Sequence, residues 1–192
     1  AATSDLSIVA GSIVDGGTIA MGSGDVLLIA QTGVGATGNP LEFTGLTDVA
    51  ASTTSGGVFI NNSTTASNIN VTSVTTPLGT QAGIDVATSG SVVITNGVGS
   101  VTTSSPVSAT GTGVITLGAT TDIAINSALT TAGGAVTLDA DNDVTATAAG
   151  SITTNGGSVA FNADNDSNSD GTISFAGDGS LVCGHATAPL RS

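Results

Sequence analysis

A chain of 192 residues with one Arg, no Lys, fourteen acids and a formal net charge of −13 has nothing with which to neutralise phosphate. Nucleic-acid binding is therefore excluded, and docking on anionic membranes is disfavoured. Apolar residues make up 39% of the chain and four Phe are its only aromatics, which predicts a thin core of small side chains without large ring anchors.

Taken in order, the elements are short strands. The first apolar run, Val26-Leu27-Leu28-Ile29-Ala30, is also the longest, well short of the roughly 18 residues a membrane helix needs. No membrane insertion is expected. The chain opens in what reads as mid-repeat sequence, as expected of a segment of a longer or processed protein. A glycine turn leading into an alternating strand appears at Ser23–Leu28, Ser55–Ile60, Ser89–Ile94 and Gly113–Leu117. It is clearest where Thr131-Ala132-Gly133-Gly134-Ala135-Val136-Thr137-Leu138-Asp139-Ala140 returns as Thr154-Asn155-Gly156-Gly157-Ser158-Val159-Ala160-Phe161-Asn162-Ala163. Val136, Leu138 and Ala140 share one face, and Thr137 and Asp139 the other. A further copy is read at Ile173–Phe175, only 14 residues past the last.

Each strand is followed by a second short piece, such as Ile123–Ile125 or Val144–Ala146, and a third, such as Ala128–Thr130 or Ser151–Thr153. About three strands per coil of 21–23 residues is the pattern of a parallel β-helix, or β-solenoid. No ten-residue window carries helical periodicity. Residues 1–180 read as one array, irregular over 1–110 and regular over 111–180, with 181–192 a tail or end cap. Coiling throughout predicts about nine turns, roughly 40 Å tall. Pro40, Pro77 and Pro106 should stand in loops or edge departures, because proline cannot donate to a ladder.

The phrase Gly38-Asn39-Pro40-Leu41-Glu42, then Ser52-Thr53-Thr54-Ser55-Gly56-Gly57-Val58-Phe59-Ile60 and the later Gly-Gly-x-Val repeats, resembles filamentous haemagglutinin-like bacterial surface adhesins of the two-partner-secretion type. The resemblance implies a right-handed parallel β-helix, export to the cell surface, and a role in adhesion or in an extracellular fibre or coat. It implies no catalytic residues.

The acidic segment is the sharpest candidate site. Asp164, Asp166, Asn168 and Asp170 place oxygen donors at alternate positions before Gly171, as in the first half of a calcium loop. The bidentate acid of such a loop is missing, since Gly177 stands in its place. Asp139, Asp141 and Asp143 lie one coil earlier, where stacking is expected to bring their carboxylates close enough to favour calcium. The plain alternative is a solvated Asp/Asn turn. Asn61, Asn62, Asn70 and Asn165 fall in Asn-x-Ser/Thr sequons, which a chain so rich in Asn and Thr produces by chance. Cys183 and His185 offer two metal-ligand types but lack the second pair that structural zinc requires.

A single His and the lack of Trp and Tyr leave little for catalysis. The expectation is a non-enzymatic extracellular structural protein: a solenoid segment of an adhesin, fibre, sheath or surface layer. Its expected partner is itself, since the open ends of a β-helix are unpaired edges. Surface glycans or matrix are the alternative partners, reached through loops near Thr37–Thr54. The third reading is a polysaccharide-active enzyme with Asp139, Asp141, Asp164 and Asp166 in one groove.

Overall fold

A computed structural model describes residues 5–22, 24–177 and 179–183. Among the described residues there is no helix. Parallel strands stack into a β-solenoid of about seven turns, about 23 residues apart. At about 4.8 Å per layer this makes a body roughly 30 Å tall. Of the difference from the expected nine turns, about one turn's worth of residues is spent in three excursions outside the coil: a loop at 35–40, a hairpin at 73–82 and the acidic loop at 164–172.

One wall is a seven-stranded sheet of Ile19–Ala20, Leu41–Thr44, Val58–Asn62, Val92–Asn96, Ile115–Ala119, Val136–Ala140 and Val159–Ala163. Its inward residues form ladders. Val58, Val92, Ile115, Val136 and Val159 are in register, as are Ile60, Ile94, Leu117, Leu138 and Phe161. Most of these side chains are fully buried, and each contributes on the order of 1.5–3 kcal/mol by leaving water.

The second sheet has thirteen strands and divides partway along. It begins as one column: Leu6–Ala10, Asp25–Ala30 and Asp48–Thr53. The last of these is long enough to serve two successors. Asp48 and Val49 pair with Asn70 and Val71, while Ala51, Ser52 and Thr53 pair with Ile84, Asp85 and Val86. Two columns of mostly three-residue strands continue from there. The first coils thus carry two strands per turn, and the first three-strand coil is the one that contains Ile69–Val71 and Ile84–Val86. Pro106 stands outside the strands, in the short connection between these columns, and its carbonyl accepts a hydrogen bond from Ile84 N at 2.9 Å.

Between these first two short strands lies an antiparallel hairpin, Ser73–Thr76 with Gly79–Ala82, turning at Pro77 and Leu78. It folds over the outer surface of the undivided column. Val74 packs on Leu27 and Ala50, with Ile29 beside them. The run Val26–Ala30 is therefore uniformly apolar because both of its faces are covered. The hairpin also lengthens the recurrence of the phrase in the first half. Val58 and Val92 are partners 34 residues apart, against 23 for Val92 and Ile115.

The Gly-Gly phrase marks one corner of the solenoid. The hydroxyls of Thr53, Thr131 and Thr154 donate to the carbonyls of Gly56, Gly134 and Gly157 at 2.8, 2.5 and 2.5 Å. There the backbone of one coil lies directly on that of the last. A side chain on Gly113, Gly134 or Gly157 would overlap the carbonyl oxygen of Gly90, Gly113 or Gly134, respectively.

Ile173–Phe175 is not a further copy of the phrase. It pairs with Val144–Ala146 in the second sheet, 29 residues on, because the acidic loop lengthens its coil. The 14-residue recurrence is a likeness of apolar alternation between two different walls.

Candidate functional site

The acidic loop leaves the strand Val159–Ala163 and re-enters the solenoid at Ile173. In the preceding coil the same corner is only residues 141–143. The added length folds on its own polar groups. Asp164 Oδ1 accepts from Ser169 N at 2.7 Å, and Asp166 accepts from both the backbone and the side-chain amide of Asn168. Asp164, Ser167 and Ser169 hold positive φ angles of 90°, 62° and 73°, a conformation that short polar side chains tolerate best.

Asp164, Asp166 and Asp170 converge, with one carboxylate oxygen from each lying within 4.8 Å of the others. The set fits a hard cation, since calcium accepts carboxylates with water completing its shell. Asn168 is arranged otherwise: its side-chain oxygen accepts from Asp170 N at 3.1 Å. Asp166 and Asp170 are exposed and Asp164 is half-buried. In water, two unit charges about 4 Å apart repel by only about 1 kcal/mol. The cluster is thus tolerable without an ion.

The other three expected ligands lie elsewhere. Asp139 faces outward and is in register with Asn162 of the next coil. Asp141 accepts from Asn165 Nδ2 at 3.4 Å. Asp143 accepts from the hydroxyl and amide of Thr172 at 2.7 and 2.9 Å, and these bonds hold its carboxyl below the usual value. The expected stacking of two acid sets brings Asn162, Asn165 and Thr172 to these acids. Asp139, Asp141 and Asn165 line a shallow groove of about 280 Å³ with Thr95 and Thr116, and Asp164 and Asp166 are not part of it.

A second concavity lies where Pro40 predicted a loop. Val34 and Leu41 occupy the ladder positions of Val58 and Ile60 one coil on, and residues 35–40 rise off the wall between them. Ala36 and Asn39 exchange two backbone hydrogen bonds, of 2.9 and 3.0 Å, which close the loop on itself. Beneath it is a groove of about 340 Å³ floored by Phe59 and Val93 and rimmed by Thr37, Asn61 and Thr95.

Sequence reasoning missed a buried polar corner. Asn62 and Asn96 are fully buried, and Asn62 Nδ2 donates to Asn96 Oδ1 at 3.1 Å and to Ser67 Oγ at 2.9 Å. The recurrence of Asn at the final inward position of the alternating strand, at 62 and again at 96, was the available signal. Asn62 is consequently out of reach of glycosylation, and Asn70 is spent on Asp48 and Ser104. Cys183 is exposed and free, while His185 and the rest of the expected tail lie outside the described residues. No helix among the described residues is long and apolar enough to cross a membrane.

Neither a known protein family, nor a curated protein, nor a solved structure matches this chain. The β-solenoid is the class to which the geometry assigns it.

Proposed function

We propose that this chain is a non-enzymatic structural segment of an extracellular adhesin, fibre, sheath or surface layer, and that it assembles end to end with copies of itself. The supporting observation is the last described coil. Ile173, Phe175 and Leu181 remain 42–48% exposed there, although they continue columns that are buried throughout the preceding coils. Phe161 and Phe175 meet edge to face at that end, 5.3 Å between ring centres. Strand edges with no partner among the described residues and exposed apolar side chains together form a template for another coil.

The first coil offers matching positions. Followed through the pairing, the column of Phe175 leads back to Leu6 and that of Leu181 to Ile8. Both residues are only partly buried. Stacking one copy on another would continue each ladder. The acidic loop stands beside this end, so calcium held by Asp164, Asp166 and Asp170 would lower the charge opposing contact. With no Lys and one Arg, such a rod also presents almost nothing to trypsin, which suits exposure outside the cell.

Sedimentation velocity and electron microscopy across a concentration series, with calcium or with chelator, test this. Filaments one solenoid wide are expected, favoured by calcium and abolished by Phe175→Asp. A single monomeric species at every concentration, with and without calcium, would refute the assembly.

A further inference from the structure

The groove beneath the 35–40 loop has the chemistry of a small-ligand site, and it lies on the side wall, away from both ends. Phe59 is the aromatic that this wall turns outward; Phe43 is fully buried and Phe161 and Phe175 meet at the last coil. The Phe59 ring folds back over Gly57, where any side chain would strike its Cε2 and Cζ. That position lays the ring against the sheet instead of letting it project. Val93 extends the apolar floor from the next coil, where it is in register with Phe59. Thr37, Asn61 and Thr95 bring hydroxyl and amide groups to the edge. Neighbouring Asn62 is by contrast committed inside the corner.

We propose that this groove binds a neutral saccharide ring, with the apolar face of the sugar on Phe59 and its hydroxyls on Asn61, Thr95 and Thr37. Charge selects the ligand class. None of the lining residues is charged, so a cation finds no partner in the groove. The chain as a whole is strongly acidic, which disfavours an anion. Shape narrows it further. The strand Val58–Asn62 is paired on both sides, with Leu41–Thr44 and Val92–Asn96, so no edge is open for an added peptide strand. The volume of about 340 Å³ is near the lower limit of ligand pockets, roughly 300–1,000 Å³, and suits a mono- or disaccharide. The loop wall is held by its own hydrogen bonds, so little ordering opposes binding. The inference does not depend on end-to-end assembly, because a monomer carries the whole groove.

The test is saturation-transfer NMR followed by titration with methyl glucoside, methyl galactoside, N-acetylglucosamine and lactose, alongside glucuronic acid and a neutral hexapeptide. At least one neutral sugar should bind in the millimolar range, with contacts from its ring protons. Phe59→Ala should weaken it at least tenfold, and Asn61→Ala and Thr95→Ala severalfold with unchanged melting. Leu78→Ala, on the distant hairpin, should leave binding as it is. If Phe59→Ala disturbs the wall, Asn61→Ala and Thr95→Ala carry the test alone. Absence of binding by every neutral sugar, preference for the acid or the peptide, or affinity unchanged in Asn61→Ala and Thr95→Ala would overturn the proposal.

Discussion

At the scale of single residues, the interior shows how little polarity a ladder tolerates without a partner. The buried threonines at 53, 131 and 154 each close a corner by donating to a glycine carbonyl. Thr103 is fully buried too, yet its hydroxyl has no partner among the described residues. Its neighbours in the ladder are Val71 and Ile125. A buried hydroxyl without a hydrogen bond costs on the order of 1–3 kcal/mol. Valine has nearly the same shape and no such cost, so Thr103→Val should raise stability by about 1 kcal/mol in urea denaturation. A loss of stability instead would mean that the hydroxyl is satisfied by bound water.

At the scale of elements, the hairpin sits within the coil where the solenoid changes form. In the first coils one long strand spans two sides, and the hairpin covers the outward Leu27 and Ala50. From Ile69–Val71 onward the long strand gives way to two short ones with mostly polar outward positions, and the hairpin is inserted between the first such pair. Thr76 Oγ1 donates to Ser7 Oγ at 2.9 Å and ties the hairpin to the first strand. Val74 is fully buried beneath it. Val74→Asp would place an unpaired charge in that seam and should cost about 3 kcal/mol. The loss is local: amides of 73–82 and of the Leu27 strand should lose hydrogen-exchange protection, while the ladder from Ile115 to Ala163 keeps its own. Uniform loss of protection would show instead that the solenoid unfolds as one unit.

The same element explains what the sequence could and could not convey. The glycine turn before each alternating strand was legible because its signal is local, whereas the Thr hydroxyl that closes it on a Gly carbonyl came only with the structure. The inward alternation of Val136, Leu138 and Ala140 was legible for the same reason. The hairpin was not, because it contributes a single large apolar anchor and its partners lie more than twenty residues away. Ile173 and Phe175 were placed on the wrong wall because apolar alternation is alike on every wall. In the acidic loop, the convergence of Asp164, Asp166 and Asp170 could be read from spacing. The diversion of Asp143 to Thr172 could not, since it depends on how many residues the loop inserts.

At the scale of the whole molecule, a net charge of −13 makes acidity the natural variable of stability. Two carboxylates respond to it in opposite senses. Asp25 lies in register with Asp48, and Asp5 accepts a hydrogen bond from the Asp25 amide. Partial burial, followed by repulsion from Asp48 and Asp5, raises its pKa above the ordinary 3.8. Folding therefore strengthens its hold on a proton. The ionised form burdens the native state above the raised pKa, and that burden lifts as pH falls through it toward 3.8. Asp143 behaves in reverse. The Thr172 hydroxyl and amide pull its pKa below 3.8, so its contribution is complete above 3.8 and is lost as pH falls through the lowered value. General self-repulsion adds to the Asp25 limb, because acidification reduces net charge. Tm should thus rise from pH 7 toward about pH 4 and fall below it. Asp25→Asn should raise Tm at pH 7 and flatten the upper limb, and high salt should shrink the gain. Asp143→Asn should lower Tm at pH 7 and flatten the lower limb. Thermal melts across pH 2–8 distinguish these outcomes, and a Tm that declines steadily from pH 7, with no gain from Asp25→Asn, would show that the acidic ladder at Asp5, Asp25 and Asp48 carries no strain.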